Sequence, residues 1–484
     1  MWSVPPIQFW YNNITVGFGR TDTINEYRIS KIWDGDLNSN LGQAIINCDP
    51  NGPLVICLSK VQVDKHGLVA TGRIFCGCCT KRKEIFLLNE NKYETIQRIA
   101  IFMGQRREQV DKIPVGNIVA IEGLKFIRSG ETIIDTNNIN EMVPFESVKY
   151  VTTPVVTVSI ESEYLRDLDK MKEIIENLLI EDPNLKFEIN EETGEFLLSG
   201  MGPLHLEVTA NDIGKRGVNV SISEPRAVFK ESCRHKSSTV ETTTPDNKNI
   251  LKLKVERLDR KTVGFFQNID YRTIKPFSVL KEILKDKTGL QDNEVENFWV
   301  CIEDQNVIVY EGRNELEEFY KNAIIEIVEK IHLTGPLCGE KLTEIKLTIK
   351  ELNIETLNQE NAFTDLSTMF YDVIKKGLIE AELILLEPIY HTIIQLPPEY
   401  IKNTVSLLSK YSAKIKSLDQ EKEYQTIIEV LLSVRNSIKF AEDIRSSTSG
   451  KAFWQNEFYA FMEVPNHESQ KLIQDIKFKK GLIW

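Results

Sequence analysis

No stretch of this 484-residue chain approaches the roughly 18 uninterrupted apolar residues of a membrane-spanning helix. Its start, Met1-Trp2-Ser3-Val4-Pro5-Pro6, has neither the basic cluster nor the apolar run of a secretory signal. The expectation is a cytoplasmic protein without a membrane partner. Cysteine is sparse, with 8 residues scattered over the whole length, so free thiols rather than a disulfide framework are expected. Histidine is sparser: none of His66, His205, His235, His332, His391 and His467 stands at a metal-ligand or catalytic spacing from another. No G-x-S-x-G nucleophile elbow occurs. Cations are in deficit, 59 Lys and Arg against 71 Asp and Glu, and the net charge of -12 argues against a protein that coats nucleic acid through its overall field. No DNA partner is expected, and any RNA contact must be local.

What the chain does have is ordinary globular composition, 42% hydrophobic and 27% charged, and length for about three domains at roughly 150 residues each. Residues 27–140 carry short runs of strand formers, Pro53–Leu58, Val69–Phe75, Glu84–Leu88, Thr95–Met103 and Asn117–Leu124. Asp49-Pro50-Asn51-Gly52 and Pro114-Val115-Gly116-Asn117 supply turns between them. Many short strands without a long helix read as a small β-barrel.

From Pro154 the texture changes. A strand at Val155–Ile160 precedes a helical stripe of Leu165, Leu168, Met171, Ile174, Ile175, Leu178 and Leu179, which Asp182-Pro183-Asn184 ends. Strands Leu185–Asn190 and Glu195–Met201, a helix near Leu204–Ile213 and a strand Val218–Ser223 complete a βαββαβ, ferredoxin-like unit. The same order returns as strand Ile389–Leu396, helix Pro398–Lys410, strands Lys414–Leu418 and Tyr424–Val434, helix Ala441–Ser446 and strand Phe453–Val464. Between the two modules, residues 227–386 read as an α+β domain. Its expected elements are a strand Ile250–Val255, a helix with Leu316, Phe319, Tyr320, Ala323, Ile324, Ile327 and Ile331 on one face, a strand Ile345–Leu352 and a helix Leu366–Leu383.

Specific motifs sharpen this reading. Tyr27-Arg28-Ile29-Ser30-Lys31-Ile32-Trp33-Asp34-Gly35-Asp36, Asn47-Cys48-Asp49-Pro50-Asn51-Gly52-Pro53-Leu54 and Ala70-Thr71-Gly72-Arg73 resemble domain II of archaeal-type translation elongation factor 2. Asn190-Glu191-Glu192-Thr193-Gly194, Leu198-Ser199-Gly200-Met201-Gly202-Pro203-Leu204-His205-Leu206-Glu207 and Ser223-Glu224-Pro225 are similar to its domain III. Gly335-Pro336-Leu337-Cys338-Gly339-Glu340 echoes domain IV, and Glu387-Pro388-Ile389-Tyr390 with Arg445-Ser446-Ser447-Thr448-Ser449-Gly450-Lys451-Ala452-Phe453 echoes domain V. The matches run in the family's order from about residue 27 to about residue 465.

The resemblance implies a multidomain α+β protein. Its parts would be an N-terminal extension 1–26, an elongation factor Tu-like β-barrel 27–149, a ferredoxin-like domain III 150–226, an α+β domain IV of the ribosomal protein S5-like type 227–384, a ferredoxin-like domain V 385–465, and a tail 466–484 packing on domain IV. It also implies a ribosomal factor site as partner. Two departures qualify that. The family's motor is a GTPase domain, and this sequence contains no G-x-x-x-x-G-K-[ST] phosphate loop. Asp49-x-x-Gly52 sits in a barrel turn, and Gly450-Lys451 lacks the earlier glycine. This chain is therefore expected to bind no GTP and to be no enzyme alone.

The second departure is at the tip of domain IV. The family carries there a histidine modified to diphthamide, beside glycines and an arginine, whereas Glu351–Asp365 contains no His, Gly, Lys or Arg. The modified position falls near Gln359. Glu355, Asn358, Gln359, Glu360 and Asn361 become the candidate ribosome contacts. Glu351, Glu355, Glu360 and Asp365 would repel RNA phosphates instead of releasing counterions. A ribosome-binding, non-translocating regulatory paralogue is the leading expectation. The alternatives are the C-terminal part of a split factor with a separate GTPase subunit, and a scaffold that has left the ribosome.

The remaining features read structurally. Cys76-Gly77-Cys78-Cys79 lacks a second ligand pair and is expected as small residues at a strand end, not as a metal site. His205 is expected to hold a helix and domain interface, and Pro203 to be tolerated in the first turn of its helix. Of Phe453, Trp454, Phe458, Tyr459 and Phe461, alternation would bury about half. Lys477, Lys479 and Lys480 read as a solvated helix end. Trp2, Phe9, Trp10 and Tyr11 suggest a terminus that covers apolar surface.

Overall fold

A computed structural model describes residues 29–482, apart from 34, 65–66, 105, 140, 146–153, 190–193, 244–248, 269–270, 272–276, 313–315, 317, 354–361 and 423–424. The aromatic start of the chain and the candidate tip therefore lie outside the described residues. The chain divides into two compact units: residues 1–154, 159–200 and 204–223 in one, and residues 155–158, 201–203 and 224–484 in the other.

Near the start of the described residues the first unit has a helix that the sequence reading did not contain, α1 (Asn40–Ile46). Ser39 caps it by accepting the Gly42 N–H at 3.0 Å. Leu41 and Ile45 join Ile29, Trp33 and Phe145 in a core against the end of the barrel. The barrel strands are β1 (Val55–Asp64), β2 (Gly67–Cys76), β3 (Cys78–Thr80), β4 (Glu84–Leu87), β5 (Lys92–Thr95), β6 (Arg98–Met103), β7 (Arg106–Val110), β8 (Lys112–Pro114), β9 (Ile118–Glu122) and β10 (Thr132–Asp135). Eight form one sheet in the order β5-β4-β10-β1-β2-β9-β6-β7, with β3 and β8 paired separately. Alternation turns Ile56, Leu58, Ala70, Ile74, Val119 and Ile121 inward into one core.

The ferredoxin-like module follows: β11 (Val156–Ser162), α2 (Leu168–Glu181), β12 (Lys186–Ile189), β13 (Phe196–Gly200), α3 (Pro203–Lys215) and β14 (Val220–Ile222), with a short β15 (Arg226–Ala227) beside β11. The sheet order β12-β13-β11-β14 is that of a split βαβ unit. Met171, Ile174, Ile175 and Leu178 are buried as the stripe requires. Leu165 is not; it is 90% exposed. It lies in a 3₁₀ turn, Leu165–Asp167, whose tighter winding takes it off the α-helical face. Pro203 is the first residue of α3, where its missing N–H costs nothing. Glu181 ties the module to the barrel: its carboxylate accepts the Val63 N–H at 2.8 Å and an Arg216 N–H at 2.7 Å.

The second unit begins at β16 (Lys230–Cys233) and continues through β17 (Val240–Thr243), β18 (Ile250–Arg257), α4 (Arg260–Asn268), α5 (Phe277–Lys287), α6 (Asp292–Glu296), β19 (Phe298–Ile302), β20 (Asn306–Tyr310), α7 (Glu318–His332), β21 (Ile345–Asn353) and α8 (Ala362–Glu380). The sheet runs β17-β18-β21-β20-β19, with β20 and β21 parallel. Leu251, Leu253 and Val255 pack with Ile324, Ile327, Phe370 and Ile374 of α7 and α8. Sequence reading missed α4 to α6 and the β19–β20 hairpin. These helices have 9, 11 and 5 residues, too short for a sustained stripe, yet Val263, Leu280, Leu284 and Val295 form a core with Val307 and Val309. Phe319 stays exposed and packs edge-on against Tyr320 at 5.5 Å, so the buried stripe of α7 begins after it.

The last module comprises β22 (Leu383–Leu396), α9 (Ile401–Lys410), β23 (Lys414–Lys422), β24 (Gln425–Ser433), α10 (Val434–Ser447) and β25 (Phe453–Glu463), followed by α11 (Asn466–Lys479). β22 is shared: residues 383–386 pair with β16 and residues 389–396 with β24. Of the five β25 aromatics only Phe461 is buried, while Phe453 and Tyr459 are exposed. That is less burial than alternation predicts; among the described residues β25 pairs with β22 alone and has no strand on its outer side.

Glu131, buried just before β10, accepts N–H groups from Asn89 at 2.9 Å, Glu90 at 3.2 Å and Thr132 at 2.9 Å. Burial nevertheless pushes its carboxyl up to about 7 from 4.5, against those hydrogen bonds. A raised folded value penalises the ionised form, so this contribution is complete below 4.5 and is lost as pH rises to 7. Between pH 5 and pH 8 the loss is on the order of 2 kcal/mol. Denaturant unfolding of Glu131→Gln should show a correspondingly flatter pH dependence than the unsubstituted chain; parallel profiles would refute this assignment.

Candidate functional site

The candidate tip residues Glu355, Asn358, Gln359, Glu360 and Asn361 lie outside the described residues, between the end of β21 and the start of α8. The flanks are defined. Glu351 is not a bare acid: its carboxylate pairs with Lys252 at 3.1 Å and accepts from Asn353 at 3.0 Å, and Lys252 also faces Glu241 at 3.5 Å. One of the four carboxylates read as repelling RNA is thus partly neutralised by its own sheet. Asp365 is exposed in the first turn of α8, where the helix dipole favours an acid.

The other sequence candidates resolve into structural roles. Asp49 accepts the Asn51 N–H at 2.9 Å through its side chain and the Gly77 N–H at 2.8 Å through its carbonyl. The D-x-x-G pattern is a turn clasp, and Gly52 is required because a Cβ there would lie 2.5 Å from the Cys76 sulfur. Burial pushes the Cys76 and Cys79 thiols up to about 12, which keeps them protonated. The Cys78 thiol donates to the Ile113 carbonyl at 3.1 Å. Among the described residues no three His, Cys, Asp or Glu side chains are placed to hold a metal ion. His205 pairs with Asp182 at 2.8 Å, joining the start of α3 to the end of α2. Burial alone would raise the Asp182 carboxyl, but hydrogen bonds from His205 and Asn184 hold it below its ordinary range.

The most developed polar site is one that the sequence did not flag, the joint where β16 meets β22 and α11. All four residues of β16, Lys230-Glu231-Ser232-Cys233, are buried. The Glu231 carboxylate accepts three backbone N–H groups, from Leu337 and Cys338 at 2.7 Å and Glu340 at 2.9 Å. The loop Gly335–Glu340 is therefore wrapped around an anion supplied by the protein itself. Gly335 permits this approach, since a Cβ there would sit 2.2 Å from a Glu231 oxygen. Lys230 reaches Asp304 at 2.6 Å and lies 4.5 Å above the Phe461 ring. Arg234 bridges Glu382 and Glu463. Buried Glu387 accepts the Ser433 hydroxyl at 2.5 Å and faces Arg435 at 3.4 Å, and Arg435 continues to Glu468 of α11 at 2.5 Å.

Lys480 corrects the reading of a solvated helix end. Its ammonium donates to the Gly339 carbonyl at 2.5 Å and pairs with Glu340 at 3.0 Å, while Leu472, Ile473 and Ile476 of α11 pack with Leu337, Cys338 and Leu385. The signals available in the sequence were an acid and a lysine within a strand, and two glycines, Gly335 and Gly339, six and two residues before Lys341.

Comparison with known proteins fits this arrangement. Residues 67–134 match the family model for elongation factor Tu domain 2, residues 151–224 that for elongation factor G domain III, and residues 384–472 that for the elongation factor G C-terminus. Elongation factor 2 of Aeropyrum pernix is 38% identical over 459 residues, and those of Staphylothermus marinus and Metallosphaera sedula are 36% and 35% identical over 462 and 465 residues. Over nearly its whole length the chain is similar to proteins of the elongation factor G/elongation factor 2 family. Each alignment covers 94% of this chain and 62% of the relative, so the chain spans less than two thirds of the length of these elongation factors.

If the Glu231 cradle organises the joint, Glu231→Gln should cost about 3 kcal/mol, because one of the three N–H donors would face an amide that cannot accept it. Gly335→Ala should cost at least as much through steric conflict. Both are read from denaturant midpoints of the second unit; changes under 0.5 kcal/mol would show that the loop does not depend on the cradle.

Proposed function

We propose that this chain acts as a ribosome-binding relative of elongation factor 2 that does not translocate. The observation that carries the reading is the composition of Glu351–Asp365, which lacks the histidine, the glycines and the cations of the family's tip. A segment containing Glu355 and Glu360 and no cation gains nothing from phosphate neutralisation, so its contribution to RNA contact is repulsive at low salt and vanishes as salt screens it. The chain has no phosphate loop, and D-x-x-G is used by the barrel turn, so the proposed role is occupancy of the factor site and not nucleotide-driven movement. The matched relatives are named elongation factors, which supports the ribosome as partner.

The test is co-sedimentation of the purified chain with archaeal-type ribosomes and separated subunits across a salt series, with and without intact elongation factor 2. Competitive binding is expected, together with no micromolar GTP signal in a nucleotide titration. Failure to bind at low salt would overturn the reading. Binding only after addition of a separate GTPase domain would favour the split-factor alternative, which the 62% coverage of the relatives keeps in view.

A further inference from the structure

The sheet of the last module runs β25-β22-β24-β23, and its two outer edges are built differently. β23 carries the exposed lysines Lys414 and Lys416, and its register against β24 shifts twice, between Ile415 and Ser417 and between Asp419 and Lys422. Exposed lysines and bulges are the usual means by which a sheet keeps further strands from its edge. β25 has no Lys, Arg or Pro in its 11 residues, and among the described residues nothing pairs with its outer side. From Phe453 to Phe458 it runs in unbroken register with β22, opposite Gln395 to Tyr390; the bulge comes only after that, at Tyr459. Phe453 is 57% exposed and Tyr459 41%. The Asn456 side chain accepts the Thr392 hydroxyl at 2.9 Å and is thereby held on its own sheet, clear of the edge. One edge is guarded and the other is left as a straight, aromatic template for a further strand.

We propose that β25 is a dimer interface: the edges of two copies of this chain pair antiparallel about a two-fold axis at Asn456 and join their sheets into one. With the axis there, Gln455 lies opposite the partner's Glu457 and Trp454 opposite the partner's Phe458. Opposed residues then share a face of the joined sheet, as antiparallel pairing requires. One face receives an amide against a carboxylate, the other an aromatic ring against an aromatic ring, and no like charges meet. Other registers are worse. An axis at Glu457 sets that acid against itself, and an axis at Gln455 sets Phe453 against the partner's Glu457. The bulge at Tyr459 ends the regular stretch where the partner's Phe453 begins its own, so strand and register have matching lengths. This self-complementarity, which an isologous contact needs, is what selects a second copy over an unrelated strand.

The test is sedimentation equilibrium of the full chain over a range of micromolar concentrations, with amide hydrogen exchange of β25 alongside. A concentration-dependent equilibrium between monomer and dimer is expected, with the β25 amides gaining protection as the dimer forms. Gln455→Glu sets two acids against each other twice in each dimer and should weaken association about tenfold. Combining it with Glu457→Lys restores an acid–cation pair at both places and should recover the association. Gln455 and Glu457 are both exposed, so the variants should keep the thermal midpoint of the unsubstituted chain. A chain that is monomeric throughout overturns the proposal, as does a dimer that Gln455→Glu leaves intact or that the charge exchange fails to restore. A monomer whose β25 amides are already protected also overturns it, because another segment of the same chain would then cover the edge.

Discussion

A buried carboxylate must find hydrogen-bond donors or cease to be ionised, and the Glu231 side chain finds three in the backbone of one loop. Much of the second unit follows from that requirement. The loop can close on the anion only because residue 335 has no side chain and residue 339 takes a positive φ of 74°. Once closed, it presents Gly339 and Glu340 to Lys480, which brings α11 down onto Leu337 and Cys338. The backbone of Glu231 meanwhile exchanges hydrogen bonds with Lys341 and Thr343, leading into β21. One acid thus fixes the entry to a sheet strand and the seat of the C-terminal helix.

β22 extends the same logic along the chain. Its first residues complete the edge at β16, and its later residues are the central strand of the last module, so any rotation between the two would have to break a continuous strand. The Lys230 contact with the Phe461 ring and the ion pairs of Arg234 and Arg435 converge on that strand, on the residue just before it or on its neighbour β25. Individually, half-exposed pairs such as Arg234–Glu463 contribute little. Their effect lies in direction, because each restrains the same joint. β21 and α8, which flank the candidate contact segment, are core elements of the unit so restrained.

The architecture was readable because periodicity reports burial directly. Met171, Ile174, Ile175 and Leu178 could be assigned to a core face from spacing alone, and the two βαββαβ orders emerged without reference to any relative. Failures fell where local winding or length breaks the period: Leu165 in its 3₁₀ turn, Phe319 at a helix start, and the short helices α4 to α6. The joint was illegible for a different reason. Its logic is a pairing between Glu231 and an amide cradle more than a hundred residues away, and no local pattern encodes such a contact. The motif Gly335–Glu340 could be recognised as similar to a family signature, yet its physical purpose appears only when the carboxylate is seen inside it.

That distinction bears on function. The features that match the family are those the fold needs: the Asp49 turn clasp, the His205–Asp182 tie, the glycines of the cradle. None of these retained features lies in the segment between β21 and α8, where the sequence departs from the family. If this segment meets a partner as proposed, the exchange of cations and histidine for Glu355 and Glu360 bears on that partner's charge: phosphate would oppose these carboxylates, whereas a basic protein surface or solvent would not. On the proposed reading, a factor that keeps the frame and reverses the charge at its tip would occupy a site and not displace RNA from it.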